Sequence, residues 1–152
     1  MNAPPSNPRA ALYIASLLRI ARDDLQGARV LACASNRNAI YFCEQAAEKI
    51  IRAILTSEGL HAGTSHRLAE MVEQLPDLNP LKERLRGLEE LEAYATSFRY
   101  PTAAGRIAPA PSSEVFERYA AQTDEALREA VECLGVELDA NTPAERPGPI
   151  RG

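Results

Sequence analysis

Residues 36–58 read Asn-Arg-Asn-Ala-Ile-Tyr-Phe-Cys-Glu-Gln-Ala-Ala-Glu-Lys-Ile-Ile-Arg-Ala-Ile-Leu-Thr-Ser-Glu, and their spacing decides the fold class. Ile40, Cys43, Ala47, Ile50 and Ile54 recur every three or four positions, the period that lines one side of an α-helix. Phe42, Ile51 and Leu55 widen that side, and Gly59 supplies a stop. The polar residues are ordered as well. Glu44, Glu48 and Arg52 step by four, while Gln45, Lys49 and Arg52 step by four and three, so all five share one broad face. Spacing alone reads such a face as solvated surface, in which Glu48 ahead of Arg52 contributes only ~0.2–0.5 kcal/mol.

The flanking segments are helical too. Asn7 followed by Pro8 is a cap-plus-proline start, and Ile14, Leu18, Ala21, Leu25, Ala28 and Ala32 carry a first helix to about Cys33. Ser65 can cap a short helix from His66 to Leu75, ended by Pro76. Asn79 and Pro80 repeat the start signal ahead of Leu81, Leu85, Leu88, Leu91, Ala95 and Phe98. Pro101 must end that fourth helix near Arg99. Ser112 or Ser113 caps the last one, with Glu114 in its first turn, an apolar side of Val115, Tyr119, Ala126, Ala130 and Leu134, and Gly135 at its end. No internal repeat and no alternating strand pattern occurs. The expected fold is all-α, an up-and-down bundle of four long helices plus one short helix over residues 8–138. Residues 1–7 are expected to be a disordered N-terminus and 139–152 a disordered Pro-rich tail.

Composition narrows the function classes. The 152 residues suit one domain with its own core, and 45% apolar with 25% charged residues is ordinary for a globular chain. With only 5% aromatics and no Trp, the core must be built from Leu, Ile, Val and Ala. A net charge of −4 and a pI near 5.3 argue against broad nucleic-acid binding or a membrane surface, which need a basic face. No apolar run reaches membrane-spanning length, and the Pro-rich opening lacks a signal-peptide core, so the expected location is cytoplasmic. Cys33, Cys43 and Cys133 are too scattered for a zinc site or a disulfide framework, and Cys33 and Cys43 read as small core residues. Neither a metal nor a cofactor is expected.

Few residues carry recognisable chemistry. His61 and His66 have no acidic partner at ligand spacing. Gly59-Leu60-His61-Ala62-Gly63 lacks the Gly-Lys-Ser/Thr ending of a phosphate loop, and no Ser/His/Asp signature appears. Arg99-Tyr100-Pro101 is more telling. Proline ends the helix there, so Arg99 can offer a guanidinium fork and Tyr100 an aromatic face, with Arg106 a second cation in the same loop. The plainer reading is that Arg99 faces the carbonyl end of its own helix.

Together these stretches resemble the HEPN family, nucleotide-binding domains of prokaryotes and higher eukaryotes. The resemblance rests on Asp24-Leu25, Ala28 and Leu31 in the first helix. It is densest in Asn38-Ala39-x-x-Phe42-x-x-Gln45-Ala46-Ala47-Glu48-Lys49-x-Ile51-Arg52-Ala53-x-Leu55, followed by Gly59. His66-Arg67-Leu68 and Arg99-Tyr100-Pro101 complete it, and it spans roughly Leu18 to Leu134. It implies a helical bundle that dimerises through helices and is often encoded beside a minimal nucleotidyltransferase. Some members are ribonucleases, toxins among them, that use an Arg followed four to six residues later by His. Here no histidine follows His66, so the residue that would do acid–base work near neutral pH is missing.

The first expectation is therefore a non-catalytic, nucleotide-binding or regulatory HEPN protein, a homodimer and partner of a minimal nucleotidyltransferase in a toxin–antitoxin-like pair. Its candidate nucleotide-binding residues are Glu44, Gln45, Glu48, Lys49, Arg52, His66, Arg99, Tyr100 and Arg106, and no catalytic residue is assigned. The alternatives are a ribonuclease lacking the usual Arg/His motif and a structural helical dimerisation module.

Overall fold

The computed structural model describes residues 7–140 and Gly148. Apart from Asn7, Asp139, Ala140 and Gly148, the two segments expected to be disordered lie outside the described residues. Helix α1, Pro8–Cys33, starts as its sequence dictates: the Asn7 side chain accepts the Arg9 N–H at 3.0 Å, and Pro8 occupies the first turn, where no donor is needed. It closes through Asn36 N–H to Leu31 O at 2.9 Å and Ser35 N–H to Ala32 O at 3.0 Å. Ser35 takes the left-handed conformation (φ 56°) that glycine usually fills at such an end.

Residues 34–38 turn the chain back into α2, Ala39–Ser57. This helix is the axis of the fold. Ala46, Ala47, Ile50, Ile51, Ala53, Ile54 and Leu55 are all buried. Such a wide apolar arc needs partners on two sides. One side meets α1 and α6 (Ser113–Leu134); the other meets α3 (Leu68–Glu73), a 3-10 turn at Glu89–Leu91 and α5 (Glu92–Thr96). Ser112, not Ser113, caps α6 by accepting the Val115 N–H at 3.2 Å, and Gly135 ends it at φ 63°. Past α6 the chain folds back on α1. Arg19 donates to the carbonyls of Glu137 (2.7 Å) and Leu138 (3.2 Å), and Arg22 pairs with Asp139 at 2.7 Å. Among the described residues no helix is long and apolar enough to cross a membrane.

The all-α class holds, but the expected fourth helix is segmented into α4 (Lys82–Arg86), the 3-10 turn and α5. The cause lies in the spacing. Leu85, Leu88, Leu91 and Tyr94 stand three apart; the three leucines are buried and Tyr94 is half-buried. An ideal α-helix rotates such a series steadily off the core, whereas three residues per turn keep it in line. The backbone follows, with Leu88 N–H to Leu85 O and Leu91 N–H to Leu88 O at 3.0 and 3.1 Å. Gly87, a poor helix former, sits at the break. Helix α3 is likewise shorter than expected, because the chain up to Ser65 and His66 is held by α2 as described below.

Lys82 is buried and pins the end of α3. Its ammonium donates to Leu75 O (2.6 Å), Glu73 O (3.4 Å) and the Asp77 carboxylate (2.9 Å), which holds the Asp77 carboxyl below its usual range. Lys82→Met keeps the stem and removes the donors, leaving a buried carbonyl without a partner. The expected loss is ~1–3 kcal/mol by urea denaturation. An unchanged midpoint would mean that water serves these carbonyls as well as Lys82 does.

Cys43 is buried as its stripe position implies. Cys33, expected in the core, is exposed at the last residue of α1.

Candidate functional site

The polar face of α2 is not a wet surface. Glu44 is fully buried and Glu48 nearly so, while Gln45, Lys49 and Arg52 are half-buried. Solvated-face logic fails because α3, the 3-10 turn and α5 pack onto α2 beside these residues.

The face divides in two. Lys49 turns to α1 and pairs with Asp24 at 2.6 Å. Glu48 and Arg52 turn to the chain leading into α3. Glu48 Oε1 accepts the Arg52 Nε–H at 3.1 Å and lies 2.6 Å from His66 Nδ1. Arg52 also donates to the carbonyls of Ser65 and, at 3.4 Å, Gly63. These bonds commit the backbone of residues 63–66 to α2, so α3 begins only at Leu68. Ser65 nonetheless keeps a local role, its hydroxyl accepting the Arg67 N–H at 3.3 Å. A small hollow of about 160 Å3 beside Arg52 is lined by Tyr13, Thr56, His61 and Gly63.

Glu44 is the anomaly. Its Oε2 accepts the Gln45 amide at 2.8 Å, but its buried Oε1 has no hydrogen-bond partner. Burial is the main force pushing its carboxyl up to about 7 from an ordinary 4.5; the neighbouring Glu48 and Glu92 add to it, while Gln45 and Lys49 oppose it. Burial therefore favours the protonated form of this carboxyl up to near neutral pH.

Arg99 does not face its own helix end. It lies over the Tyr41 ring (5.2 Å to the centroid) and beside Tyr100 (5.8 Å), so it stands one helical turn from Glu44 and Gln45. Arg37 takes the carbonyl role instead, donating to Phe98 O at 3.0 Å and Ala108 O at 2.9 Å and stacking 4.0 Å over the Phe98 ring. It thereby fastens both ends of the 99–107 loop. Arg106 is not brought to the stripe: its backbone closes a turn with Thr102, and its side chain is exposed. Along α2, Arg99 over Tyr41 and His66 on Glu48 mark two ends of one strip, ~10 Å apart at the helical rise of seven residues. Arg37, Tyr41, Asp24 and Glu92 belong to this construction and were not among the expected site residues. Tyr41 carried a signal, being three residues before Glu44 and four before Gln45. The others depend on tertiary contacts.

The HEPN domain family model matches residues 14–135. The chain belongs to the HEPN family. Comparison with curated proteins gives no match, and comparison with solved structures gives none either.

Proposed function

We propose that this HEPN-family chain is a non-catalytic nucleotide-binding or regulatory protein, and that its binding face is the strip from Arg99–Tyr41 to Glu48–His66. The observation that carries this is Arg99. Among the described residues its partners are two aromatic rings, so its guanidinium donors remain available to a phosphate while the exposed Tyr100 offers a face to a base. Lys49 and Arg52, by contrast, are engaged by Asp24 and by Glu48 with two carbonyls, and serve to hold the strip's shape. The absence of any histidine after His66 supports binding over RNA cleavage. The protein is proposed to act as a homodimer, with a minimal nucleotidyltransferase as partner in a two-gene system.

Calorimetry with ATP and GTP tests the ligand. Binding is expected for the wild type, and Arg99→Ala is expected to weaken it about tenfold or more, the worth of a charge-assisted contact. Arg99 is exposed, so that variant should fold. No heat at millimolar nucleotide, or an Arg99→Ala variant that binds as tightly as wild type, refutes the reading. The second reading, a helical dimerisation module, is favoured by Leu12, Tyr13, Ile20 and Val30, large apolar residues left exposed on α1. Light scattering that shows a dimer, together with no nucleotide binding, would select it.

A further inference from the structure

A hollow larger than the one beside Arg52 lies away from the α2 strip. It is a groove of about 490 Å3 between the last turn of α1, the 34–38 turn and the start of α6. That volume falls within the range of small-molecule sites, ~300–1,000 Å3, whereas the hollow beside Arg52 falls below it. The groove's walls have two characters. Buried Ile40 and Phe116, with Pro111, give an apolar floor. Arg29 and Arg37 line it against a single acid, Glu117, so the fixed charge is net positive within an acidic chain.

The cations differ in availability. Arg37 is committed to the Phe98 and Ala108 carbonyls. Arg29 makes one loose contact, 3.5 Å to Glu117, and both side chains are substantially exposed (44% and 64%). Such an exposed pair is weak and leaves most of the guanidinium's donors free. Ser113, in the first turn of the 22-residue α6, lines the same groove. The first N–H groups of that helix have no intrahelical acceptor; the Ser112 side chain takes that of Val115, and the Ser112 carbonyl takes that of Phe116. An anion held by Arg29 would share the groove with Ser113.

We propose that this groove is a second binding site, separate from the α2 strip, for a small amphiphilic anion: an aromatic body on Phe116, Ile40 and Pro111 with one carboxylate, sulfonate or phosphate toward Arg29. The apolar floor demands a body that gains by leaving water, and the uneven charge demands the acid group.

The probe is 1-anilinonaphthalene-8-sulfonate, an aromatic sulfonate, titrated against the folded full-length chain by fluorescence. A saturable one-site rise is expected. Arg29→Gln should raise its Kd about tenfold, and Ala110→Trp, which puts a large ring into the groove from an exposed position, should abolish it. Cys33 provides a second readout, because it lines the groove and is exposed, while Cys43 is buried and its thiol is pushed up to about 12, chiefly by that burial. Saturating probe should slow alkylation of Cys33 by iodoacetamide and leave Cys133 unaffected. Binding that is unsaturable, that survives both substitutions, or that leaves Cys33 alkylation unchanged would overturn the proposal. Nucleotide calorimetry is not involved, so the α2 strip and the groove stand or fall separately.

Discussion

Replacing Glu48 by alanine is expected to lower the unfolding free energy by ~3 kcal/mol and the thermal midpoint by roughly 10 °C. Glu48 is nearly buried and stands between Arg52 and His66, at 3.1 and 2.6 Å. Removing it leaves the Arg52 guanidinium, whose side chain is only 17% exposed, without its carboxylate. An uncompensated charge costs more than the pair itself is worth. The damage should spread, because Arg52 also holds the Ser65 and Gly63 carbonyls and so sets where α3 begins. Two further variants separate charge from shape. Glu48→Gln keeps an acceptor for Arg52 and His66 and should cost less than alanine. Pairing Glu48→Ala with Arg52→Met removes both charges and should recover part of the loss. Urea denaturation of the three proteins decides the matter, and a loss below ~1 kcal/mol for Glu48→Ala would show that water already screens the site.

The second large effect concerns Glu44 and has the opposite sign. Its carboxyl is raised to about 7, first by burial, from an ordinary 4.5. The folded state therefore holds this proton more tightly than the unfolded state does. Below about pH 4.5 both states are protonated and the group contributes nothing to pH dependence. As pH rises from there to about 7, the unfolded chain ionises freely while the folded chain resists, so stability falls with pH. The accumulated penalty above pH 7 is ~2–3 kcal/mol. Glu44→Gln retains the acceptor for the Gln45 amide and cannot ionise. It should be within ~1 kcal/mol of wild type at pH 5 and more stable by ~1–2 kcal/mol at pH 8, the residual cost being its own buried amide N–H groups. Denaturation midpoints at pH 5, 6, 7 and 8 test this. Parallel pH profiles for the two proteins would mean that Glu44 ionises in the fold without penalty. A nucleotide-binding strip that contains such a group would itself bind with a pH dependence near neutrality.

Local signals were readable wherever one residue's own backbone decides the outcome. Asn7-Pro8 opens α1, a serine ahead of Glu114 caps α6, and Gly135 closes it, because capping involves only neighbouring residues. The apolar series of α2 likewise declared a helix with a buried side. What the series could not declare was how much of the circumference is covered. Ile51 and Leu55 widen the stripe, and Glu44 and Glu48 are buried as well because α3, the 3-10 turn and α5 also pack on α2. The leucines at 81, 85, 88 and 91 mark a core side, and their shift to a spacing of three departs from α-helical winding where the chain breaks into α4, the 3-10 turn and α5. Pro101 marks Arg99 as a cation at a helix end, whereas nothing near Arg37 in the chain points to the Phe98 carbonyl it binds, sixty-one residues later.

The amino-acid sequence by itself determined that this protein is all-α and where α1, α2 and α6 run. Those properties depend on periodicity and caps, which act over three or four residues. Only the tertiary structure decided the state of the polar stripe. Whether Glu44, Glu48, Lys49 and Arg52 meet water or protein depends on which elements pack beside them, and burial is what converts an ordinary row of charges into a strained carboxyl, a Glu48–Arg52–His66 cluster and a strip with Arg99 at its far end. A helix wheel shows which residues share a face, but the dielectric that face experiences is set by its neighbours in space.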